Sequence, residues 1–160
     1  MNTPDHRGIK LLLLDCDGVL TDGRLYFSAA GEELKVFDVQ DGHGIVSWIR
    51  AGRKMGIISG RTSPIVNRRA AELGIQFVKQ GVSDKLASAR EIWEETGLAP
   101  SETAFVGDDL PDLELMETCA LGIAVANAIA PVMELADRVT TRIGGRGAVR
   151  EVIDMLMAEQ

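Results

Sequence analysis

Two carboxylates follow an apolar run near the beginning of the chain. Asp15 ends the run at residues 9–15, and Asp17 and Gly18 come soon after it. An apolar run of about four to eight residues that ends at a turn signal is typical of a buried strand in a parallel sheet. Because such sheets bind ligands at the carboxyl ends of their strands, Asp15 and Asp17 are predicted to lie in a functional site.

Polar residues also follow three later strand-like runs. They are Ser59 and Arg61 after residues 54–58, Lys85 after residues 75–79, and Asp108 after residues 103–107. Parallel strands end at the same edge of a sheet, so these side chains are expected to converge from several strands.

This set of residue types is suited to phosphate chemistry. Neighbouring carboxylates repel one another unless a cation lies among them, and carboxylates are preferred ligands of Mg²⁺. The hydroxyl of Ser59 and the ammonium of Lys85 are donors for phosphate oxygens. Asp15 is predicted to act as a nucleophile that forms an aspartyl phosphate, and Asp17 to exchange protons with the leaving group and with water.

The rest of the chain alternates strand-like and helical stretches, which predicts an α/β fold: a three-layer, Rossmann-like parallel sheet with helices on both faces. Strands are predicted at residues 9–15, 54–58, 75–79, 103–107, 121–125 and 138–140. Helices are predicted at residues 42–51, at 64–73 after a cap at Ser63, from a cap at Ser83 to Gly97, after Asp109, near Pro131, and at 147–157.

Residues 20–41 interrupt this alternation. Two short strand-like runs, residues 25–27 and 34–39, flank a glycine-containing turn at residues 28–31 and predict a β-hairpin. The hairpin is too small to be a separate domain. We interpret it as a flap beside Asp15 that packs on another surface, such as a second subunit.

Length and composition exclude several classes of protein. The 160 residues are predicted to form one domain, residues 1–160, and the net charge of −7 argues against nucleic-acid binding. No apolar run approaches the roughly 18–20 residues that span a bilayer, and polar residues 1–8 do not resemble a signal peptide. Cys16 and Cys119 lack metal-binding spacing and are predicted to be buried thiols. A cytoplasmic protein without a membrane partner is expected.

The ordered set of polar residues resembles the haloacid dehalogenase superfamily of phosphatases. The matching residues are Asp15-x-Asp17-Gly-Val, Ser59, Lys85 and Gly107-Asp108-Asp109-x-x-Asp112, in the order that the superfamily shows. The resemblance implies a fold of that superfamily and hydrolysis through Asp15. Between Asp109 and Asp112, Asp109 is expected to have a structural role.

Three further stretches resemble the 3-deoxy-D-manno-octulosonate 8-phosphate phosphatases, which lack a cap domain. They are residues 15–23, residues 37–45 after the hairpin, and residues 144–151 in the C-terminal segment 144–160. The resemblance implies hydrolysis of a small phosphorylated sugar acid by a homotetramer. Flaps and neighbouring subunits would then cover the active site in place of a cap.

The same resemblance implies a set of ligands. Mg²⁺ would be bound by Asp15, the backbone carbonyl of Asp17, and Asp108. The substrate would be contacted by Asp17, Asp38, Val39, Gln40, Asp41, Gly42, Arg61, Arg69 and Lys85. Relatives often carry arginine in place of Gln40 and a basic residue in place of Val46. These departures bear on the sugar-acid substrate but leave the phosphatase chemistry unchanged.

Three other functions fit parts of the pattern. Another sugar phosphate, such as an N-acylneuraminate 9-phosphate, is the alternative substrate. A phosphoacceptor domain resembling response-regulator receivers would also combine carboxylates, a hydroxyl and a lysine, but with its acceptor on the third strand, whereas Asp15 follows the first. A binding or regulatory module without turnover is disfavoured, because all the catalytic side chains are present.

Overall fold

The computed structural model describes residues 8–158, and its main element is a six-stranded parallel sheet. In chain order the strands are β1 (Leu11–Leu14), β2 (Tyr26–Ser28), β3 (Gly31–Leu34), β4 (Lys54–Ser59), β5 (Phe77–Gln80), β6 (Thr103–Gly107), β7 (Leu121–Ala124) and β8 (Arg138–Val139). The sheet has the order β5-β4-β1-β6-β7-β8 with every pair parallel. Strands β2 and β3 pair only with each other, as an antiparallel hairpin.

Helices cover the sheet. They are α1 (Val39–Arg50), α2 (Pro64–Leu73), α3 (Lys85–Thr96), α4 (Leu113–Thr118), α5 (Ala130–Leu135) and α6 (Ala148–Ala158). Helix α1 packs against α2 and α6, whereas α4 packs against α3 and α5. The predicted α/β fold, with a parallel sheet between helices, is confirmed. None of the helices described in residues 8–158 has the length and apolar character of a membrane-spanning segment.

Strand β1 forms the centre of the core. All four of its leucine side chains are fully buried, because β4 and β6 flank the strand and helices cover it. The backbone N–H of Asp15 still donates to the carbonyl of Val106 at 3.0 Å, so the sheet pairing continues to the first carboxylate. This pairing fixes the backbone of Asp15 at the carboxyl end of the central strand β1.

Helix ends follow local sequence signals. Helix α2 has its predicted bounds, since Ser63 accepts from the N–H of Ile65 and Gly74 ends the helix with a φ of 75°. The predicted cap of α3 at Ser83 is wrong, because the side chain of Asp84 accepts from the N–H of Ala87 instead. The predicted start of α1 at residue 42 is also wrong, because the side chain of Asp38 caps the helix and α1 begins at Val39.

The hairpin is present, but its second strand was predicted at the wrong place. That strand is Gly31–Leu34 rather than residues 34–39. A tight turn closes the hairpin: the hydroxyl of Ser28 accepts from the N–H of Ala30 at 3.1 Å, and Gly31 has a φ of 122°. The chain leaves the hairpin after Leu34, because the next side chain turns inward and Asp38 then caps α1.

The loop before α6 packs tightly on the loop after β1. A Cβ atom added to Gly144 would lie 1.8 Å from the carbonyl oxygen of Gly18, and one added to Gly145 would lie 2.5 Å from the carbonyl carbon of Thr21. The N–H of Gly145 donates to the carbonyl of Val19 at 2.9 Å. The two glycines therefore allow the C-terminal segment to support the loop that carries Asp17.

Candidate active site

Polar residues at the carboxyl ends of β1, β4 and β6 line one pocket of about 250 Å³, called here the Asp15 pocket. Its lining includes the predicted site residues Asp15, Asp17, Ser59, Arg61, Lys85 and Asp108. Ser59 is buried at the end of β4, whereas the Arg61 side chain is 45% exposed. The structure thus brings six of the predicted side chains together at one edge of the sheet.

Lys85 lies between two carboxylates in the Asp15 pocket. Its ammonium is 2.8 Å from Oδ1 of Asp15 and 2.5 Å from Oδ1 of Asp112, and all three side chains are buried. Burial works to lower the pKa of Lys85, but the charges of Asp15 and Asp112 outweigh it and the pKa is raised. A cation is unfavourable at a helix N-terminus, so the two carboxylates compensate for its position as first residue of α3.

Asp112 holds the loop that carries Asp108. One of its oxygens accepts from Lys85, and the other accepts from the N–H groups of Asp108 at 2.8 Å and Asp109 at 3.2 Å. Asp109 is exposed and accepts from the N–H of Leu110 at 2.8 Å. Asp109 therefore stabilises the turn, while Asp112 belongs to the buried cluster.

Negative charge is concentrated in the Asp15 pocket. Asp15, Asp108 and Asp112 offer carboxylate oxygens that lie within 4.8 Å of one another. Three carboxylates face one ammonium, that of Lys85, so the ionised cluster has two negative charges in excess. Burial, together with the charge of Asp15, raises the pKa of Asp108 to about 8, and burial raises the pKa of Asp15. A divalent cation would neutralise the excess charge.

The positions of the acidic groups fit a magnesium ion. Both oxygens of Asp112 already accept hydrogen bonds, which makes Asp15 and Asp108 the better candidates for carboxylate ligands. A Cβ atom added to Gly18 would lie 1.9 Å from Oδ2 of Asp108, so this carboxylate is adjacent to the peptide that carries the carbonyl of Asp17. Two carboxylates and a carbonyl are oxygen ligands of the kind that Mg²⁺ prefers.

Asp17 lies in the same pocket as Asp15 but contacts different cations. The ammonium of Lys35 donates to Oδ1 of Asp17 at 2.5 Å, and Nε of Arg61 lies 3.8 Å from Oδ2. The exposed fraction of the Asp17 side chain is 18%, twice that of Asp15 at 9%. Asp17 is therefore the more accessible carboxylate.

Glu32 joins the hairpin to the Asp15 pocket. Its carboxylate accepts from the hydroxyl of Ser63 at 2.8 Å and from Arg61 at 3.3 Å, and it lies 3.6 Å from the ammonium of Lys35. Neither Glu32 nor Lys35 is among the site residues predicted from the sequence. A usable signal was the opposite charges three residues apart in a hairpin that is rich in apolar residues.

The predicted contacts at residues 38–40 lie outside the Asp15 pocket. Asp38 caps α1 by accepting from the N–H groups of Gln40 and Asp41, and Val39 is 82% exposed. Oε1 of Gln40 accepts from Nη1 of Arg142 at 3.1 Å. Relatives often carry arginine in place of Gln40. In this chain the guanidinium of Arg142, from the loop before α6, lies beside that position.

Asp41 joins α1 to the N-terminus of α6. Its buried carboxylate accepts from the N–H of Arg150 at 2.8 Å and from the N–H of Gly147 at 3.4 Å. Burial, with a further contribution from the charge of Asp38, raises the pKa of Asp41 to about 6. The carboxylate therefore caps a helix in this structure rather than facing the Asp15 pocket.

Gly42 and Arg69 contact each other outside the Asp15 pocket. A Cβ atom added to Gly42 would lie 2.4 Å from Nη2 of Arg69, so the arginine side chain would have to shift if residue 42 were not a glycine. The Arg69 guanidinium lies 5.7 Å from the centre of the Phe37 ring and 3.5 Å from Glu72. Residues 38–42 and Arg69 thus form a second group, separate from the pocket lining.

Comparisons with known proteins agree with this geometry. Residues 47–153 match the family of haloacid dehalogenase-like hydrolases. The 3-deoxy-D-manno-octulosonate 8-phosphate phosphatase of Escherichia coli K12 is 47% identical over 152 residues, which cover 95% of this chain and 81% of that protein. The phosphatase of the same name from Yersinia pestis is 43% identical with the same coverage.

Solved structures share the fold. The crystal structure of the 3-deoxy-D-manno-octulosonate 8-phosphate phosphatase from Moraxella catarrhalis, in complex with magnesium ion, phosphate ion and KDO, has a TM-score of 0.94. It is 40% identical and covers 98% of this chain and 90% of its own. The cobalt-bound phosphatase from Haemophilus influenzae has a TM-score of 0.95 at 39% identity, over 98% of this chain and 91% of its own.

Proposed function

The chain belongs to the haloacid dehalogenase-like hydrolases, and from this premise we propose that it is a magnesium-dependent phosphomonoesterase. The proposed substrate is 3-deoxy-D-manno-octulosonate 8-phosphate (KDO 8-phosphate), which is hydrolysed to KDO and phosphate. The printed function of the relatives supports this substrate. The observation that carries the proposal is the single pocket in which Asp15, Asp17, Lys85 and Asp108 meet.

Asp15 is the proposed nucleophile. One of its carboxylate oxygens attacks phosphorus, a bond from Asp15 to phosphorus forms, and the bond from phosphorus to the sugar oxygen breaks. Asp17 transfers its proton to the leaving alkoxide, which departs as the sugar hydroxyl. Asp15 then carries the phosphoryl group, and Asp17 is a carboxylate.

Water completes the reaction. Asp17 takes a proton from a water molecule, whose oxygen attacks phosphorus and breaks the bond to Asp15. Phosphate leaves, Asp15 returns to its carboxylate form, and Asp17 regains its proton. Each group thus ends in the state in which it began, so repeated turnover is expected.

The charge on the transferring phosphoryl group needs fixed partners. We propose that the ammonium of Lys85 and the hydroxyl of Ser59 donate to its equatorial oxygens, because catalysis of phosphoryl transfer rests mainly on positioning and electrostatic stabilisation. Asp15, the carbonyl of Asp17 and Asp108 would hold magnesium, which neutralises charge between these carboxylates and the phosphate when it is bound.

The Asp15 pocket is too small for the whole substrate. Its volume of about 250 Å³ lies below the range of roughly 300–1,000 Å³ that is usual for ligand pockets. We propose that the phosphoryl end enters the pocket and that the sugar acid extends past Arg61. Residues 38–42 and Arg69 are proposed to contact the sugar acid, and the guanidinium of Arg142 beside Gln40 supports an acidic ligand there.

A homotetramer is proposed to complete the site. Its support is the exposure of large apolar side chains on and after the hairpin: Leu25, Tyr26, Phe27, Leu34, Val36 and Val39. Several large apolar side chains exposed along one segment are expected at an interaction site. A cytoplasmic location of this one-domain chain is also proposed, because Cys16 and Cys119 are buried free thiols, as is usual in a reducing compartment.

Steady-state phosphate release tests the proposed substrate. We expect kcat/KM for KDO 8-phosphate to exceed that for an N-acylneuraminate 9-phosphate by at least about tenfold, which is the scale of discrimination that pocket contacts achieve. Both assays contain Mg²⁺ and the same enzyme preparation. A higher kcat/KM for the N-acylneuraminate ester would contradict the assignment of the sugar acid while leaving the phosphatase chemistry in place.

A further inference from the structure

Lys35 is a buried cation that contacts the proposed acid–base residue. It lies outside the helices and strands, directly after β3, and its side chain is only 2% exposed. Its ammonium donates to Oδ1 of Asp17 at 2.5 Å and lies 3.6 Å from the carboxylate of Glu32. Lys35 is therefore an ammonium that is held inside the protein by its pairing with Asp17.

The contact distinguishes the two oxygens of Asp17. Oδ1 accepts from the ammonium of Lys35 at 2.5 Å, whereas Oδ2 lies 3.8 Å from Nε of the half-exposed Arg61. A carboxyl group can deliver a proton only if one oxygen is directed at the reacting atom. Fixing Oδ1 restricts rotation of the carboxyl group and so leaves Oδ2 for this role.

We propose that Lys35 is a positioning residue for proton transfer by Asp17. The inference rests on the proposed phosphatase function. With Oδ1 held by Lys35, the proton passes from Oδ2 to the leaving alkoxide oxygen. In the second half of the reaction, Oδ2 accepts a proton from the attacking water. Lys35 itself gains and loses no proton.

The hairpin sets the position of Lys35. Glu32 lies 3.6 Å from the Lys35 ammonium and accepts from Ser63 at 2.8 Å, and Ser63 caps α2. The backbone of Ser63 is in turn held by the side chain of Gln80, at the end of β5. These contacts fasten the hairpin to the sheet edge, so the hairpin delivers a cation to Asp17 within one subunit.

The dependence of kcat/KM on the leaving group tests this role. An alkyl phosphate needs a proton on its leaving oxygen, whereas p-nitrophenolate leaves readily without one. We expect Lys35→Met to lower kcat/KM by about 100-fold for KDO 8-phosphate and by less than about fivefold for p-nitrophenyl phosphate. Since kcat/KM includes only steps up to the first irreversible one, later hydrolysis of the aspartyl phosphate does not obscure the comparison. Equal losses with both substrates would overturn the proposal.

A double-mutant cycle separates positioning from a merely structural effect. If Lys35 acts through Asp17, then Lys35→Met has no further effect on kcat/KM for KDO 8-phosphate once Asp17→Asn is present. If the loss in the double variant equals the product of the two single losses, the proposal is wrong. If Lys35→Met only loosened the hairpin, it would lower kcat/KM by the same factor in both backgrounds, which is the multiplicative result.

Two further variants complete the experiment. Glu32→Gln keeps Lys35 but weakens the hairpin contacts that position it, so it is expected to lower kcat/KM for KDO 8-phosphate more than kcat/KM for p-nitrophenyl phosphate, by less than Lys35→Met does. Lys10→Met removes an exposed lysine that pairs with Glu102, and its kcat/KM should match the wild type. If the wild type does not hydrolyse KDO 8-phosphate, the proposed substrate fails. The role of Lys35 is then tested with an alkyl phosphate that the wild type hydrolyses, by comparing the loss of kcat/KM in Lys35→Met for that ester with the loss for p-nitrophenyl phosphate.

Discussion

Asp15 and Asp17 are chemically identical side chains that their surroundings make different. Asp15 is buried and shares Lys85 with Asp112, whereas Asp17 is more exposed and contacts Lys35 and Arg61. A carboxylate that is fixed beside a lysine and adjacent to a metal site is suited to in-line attack. A carboxylate nearer to solvent is suited to exchanging protons with a leaving group and water.

Replacing the nucleophile should stop the reaction without unfolding the protein. Asp15→Asn keeps the shape of the side chain but removes the carboxylate that attacks phosphorus. We expect no measurable phosphate release, together with an unchanged far-ultraviolet circular dichroism spectrum. More than a trace of turnover in a preparation free of wild-type enzyme would show that Asp15 is not the nucleophile.

Removing the buried ammonium should destabilise the metal-free protein. Lys85→Met leaves three carboxylates close together without their cation, and breaking a buried ion pair in this way costs about 3–5 kcal/mol. Urea unfolding in the presence of a chelator measures this loss. The control is Lys79→Met, whose exposed pairing with Glu91 is expected to contribute less than about 1 kcal/mol. Equal stability of the two variants would contradict the account of the cluster.

At the residue scale, the sequence predicts which site residues directly follow the strands of the parallel sheet. It does not predict the site residues that come from the hairpin. Asp15, Ser59 and Asp108 could be placed because each follows an apolar run, and parallel strands share one edge. Lys35 could not be placed, since its contact with Asp17 depends on where the hairpin ends. The opposite charges of Glu32 and Lys35, three residues apart, single out this pair but do not show that Lys35 contacts Asp17.

At the scale of elements, one carboxylate on α1 determines how the C-terminal segment docks. Asp41 accepts from backbone N–H groups at the start of α6, while Gly144 and Gly145 pack against the loop after β1. The segment that begins at residue 144 therefore contacts both α1 and the loop of Asp17. Residues 144–151 belong to the stretches that resemble the phosphatases, but the sequence does not predict what they pack against.

The raised pKa of Asp41 predicts how stability changes with pH. Folding raises this pKa from 3.8 to about 6, chiefly through burial, so the folded state binds the proton more tightly than the unfolded state. The contribution of Asp41 is therefore fully present below about pH 4 and is lost as pH rises through 6. The loss is on the order of 3 kcal/mol at most.

Asp41→Asn isolates this contribution, because asparagine does not titrate. The free energy of unfolding of the wild type minus that of Asp41→Asn should decrease between pH 4 and 6 and stay level above pH 7. Subtraction cancels the other titrating groups, while Asp38 and Arg142, whose charges act on Asp41, are present in both proteins. A difference that rises with pH would contradict the assigned cause.

Element boundaries show where local signals suffice. The cap at Ser63, the proline that follows it and Gly74 define α2 without tertiary information. The end of β3 is different. Apolar residues recur as far as residue 39, but the strand ends at Leu34. Burial of Lys35 against Asp17 and capping by Asp38 override that alternation, and both depend on the folded molecule.

At the scale of the whole molecule, the exposed hairpin predicts association. Phe27 is 59% exposed in the middle of β2, so a charge there should disrupt a contact between subunits without disturbing the core. We expect the wild type to be a tetramer by light scattering and Phe27→Glu to be a smaller species with an unchanged circular dichroism spectrum. Thr118→Glu, on an exposed part of α4, is the matched control and should remain a tetramer. A monomeric wild type would contradict the assembly.

Overall charge makes the local cations essential. The molecule has a net charge of −7, yet the proposed substrate is an anion. Binding must therefore depend on Lys85, Arg61 and the proposed magnesium ion, which act at short range where salt screens them least. When Asp15, Asp108 and Asp112 are all ionised, their cluster with Lys85 has two negative charges in excess, which a divalent cation would neutralise.

Counting the phosphate released per chain from KDO 8-phosphate distinguishes a metal-dependent phosphatase from a phosphoacceptor. With Mg²⁺ and substrate in large excess, we expect many equivalents of phosphate per chain and a complete stop when a chelator removes the metal. Release of one equivalent or less, with the phosphoryl group retained on the protein, would show a phosphoacceptor rather than a phosphatase. Undiminished turnover in the presence of chelator would contradict the role of Asp15 and Asp108 as metal ligands.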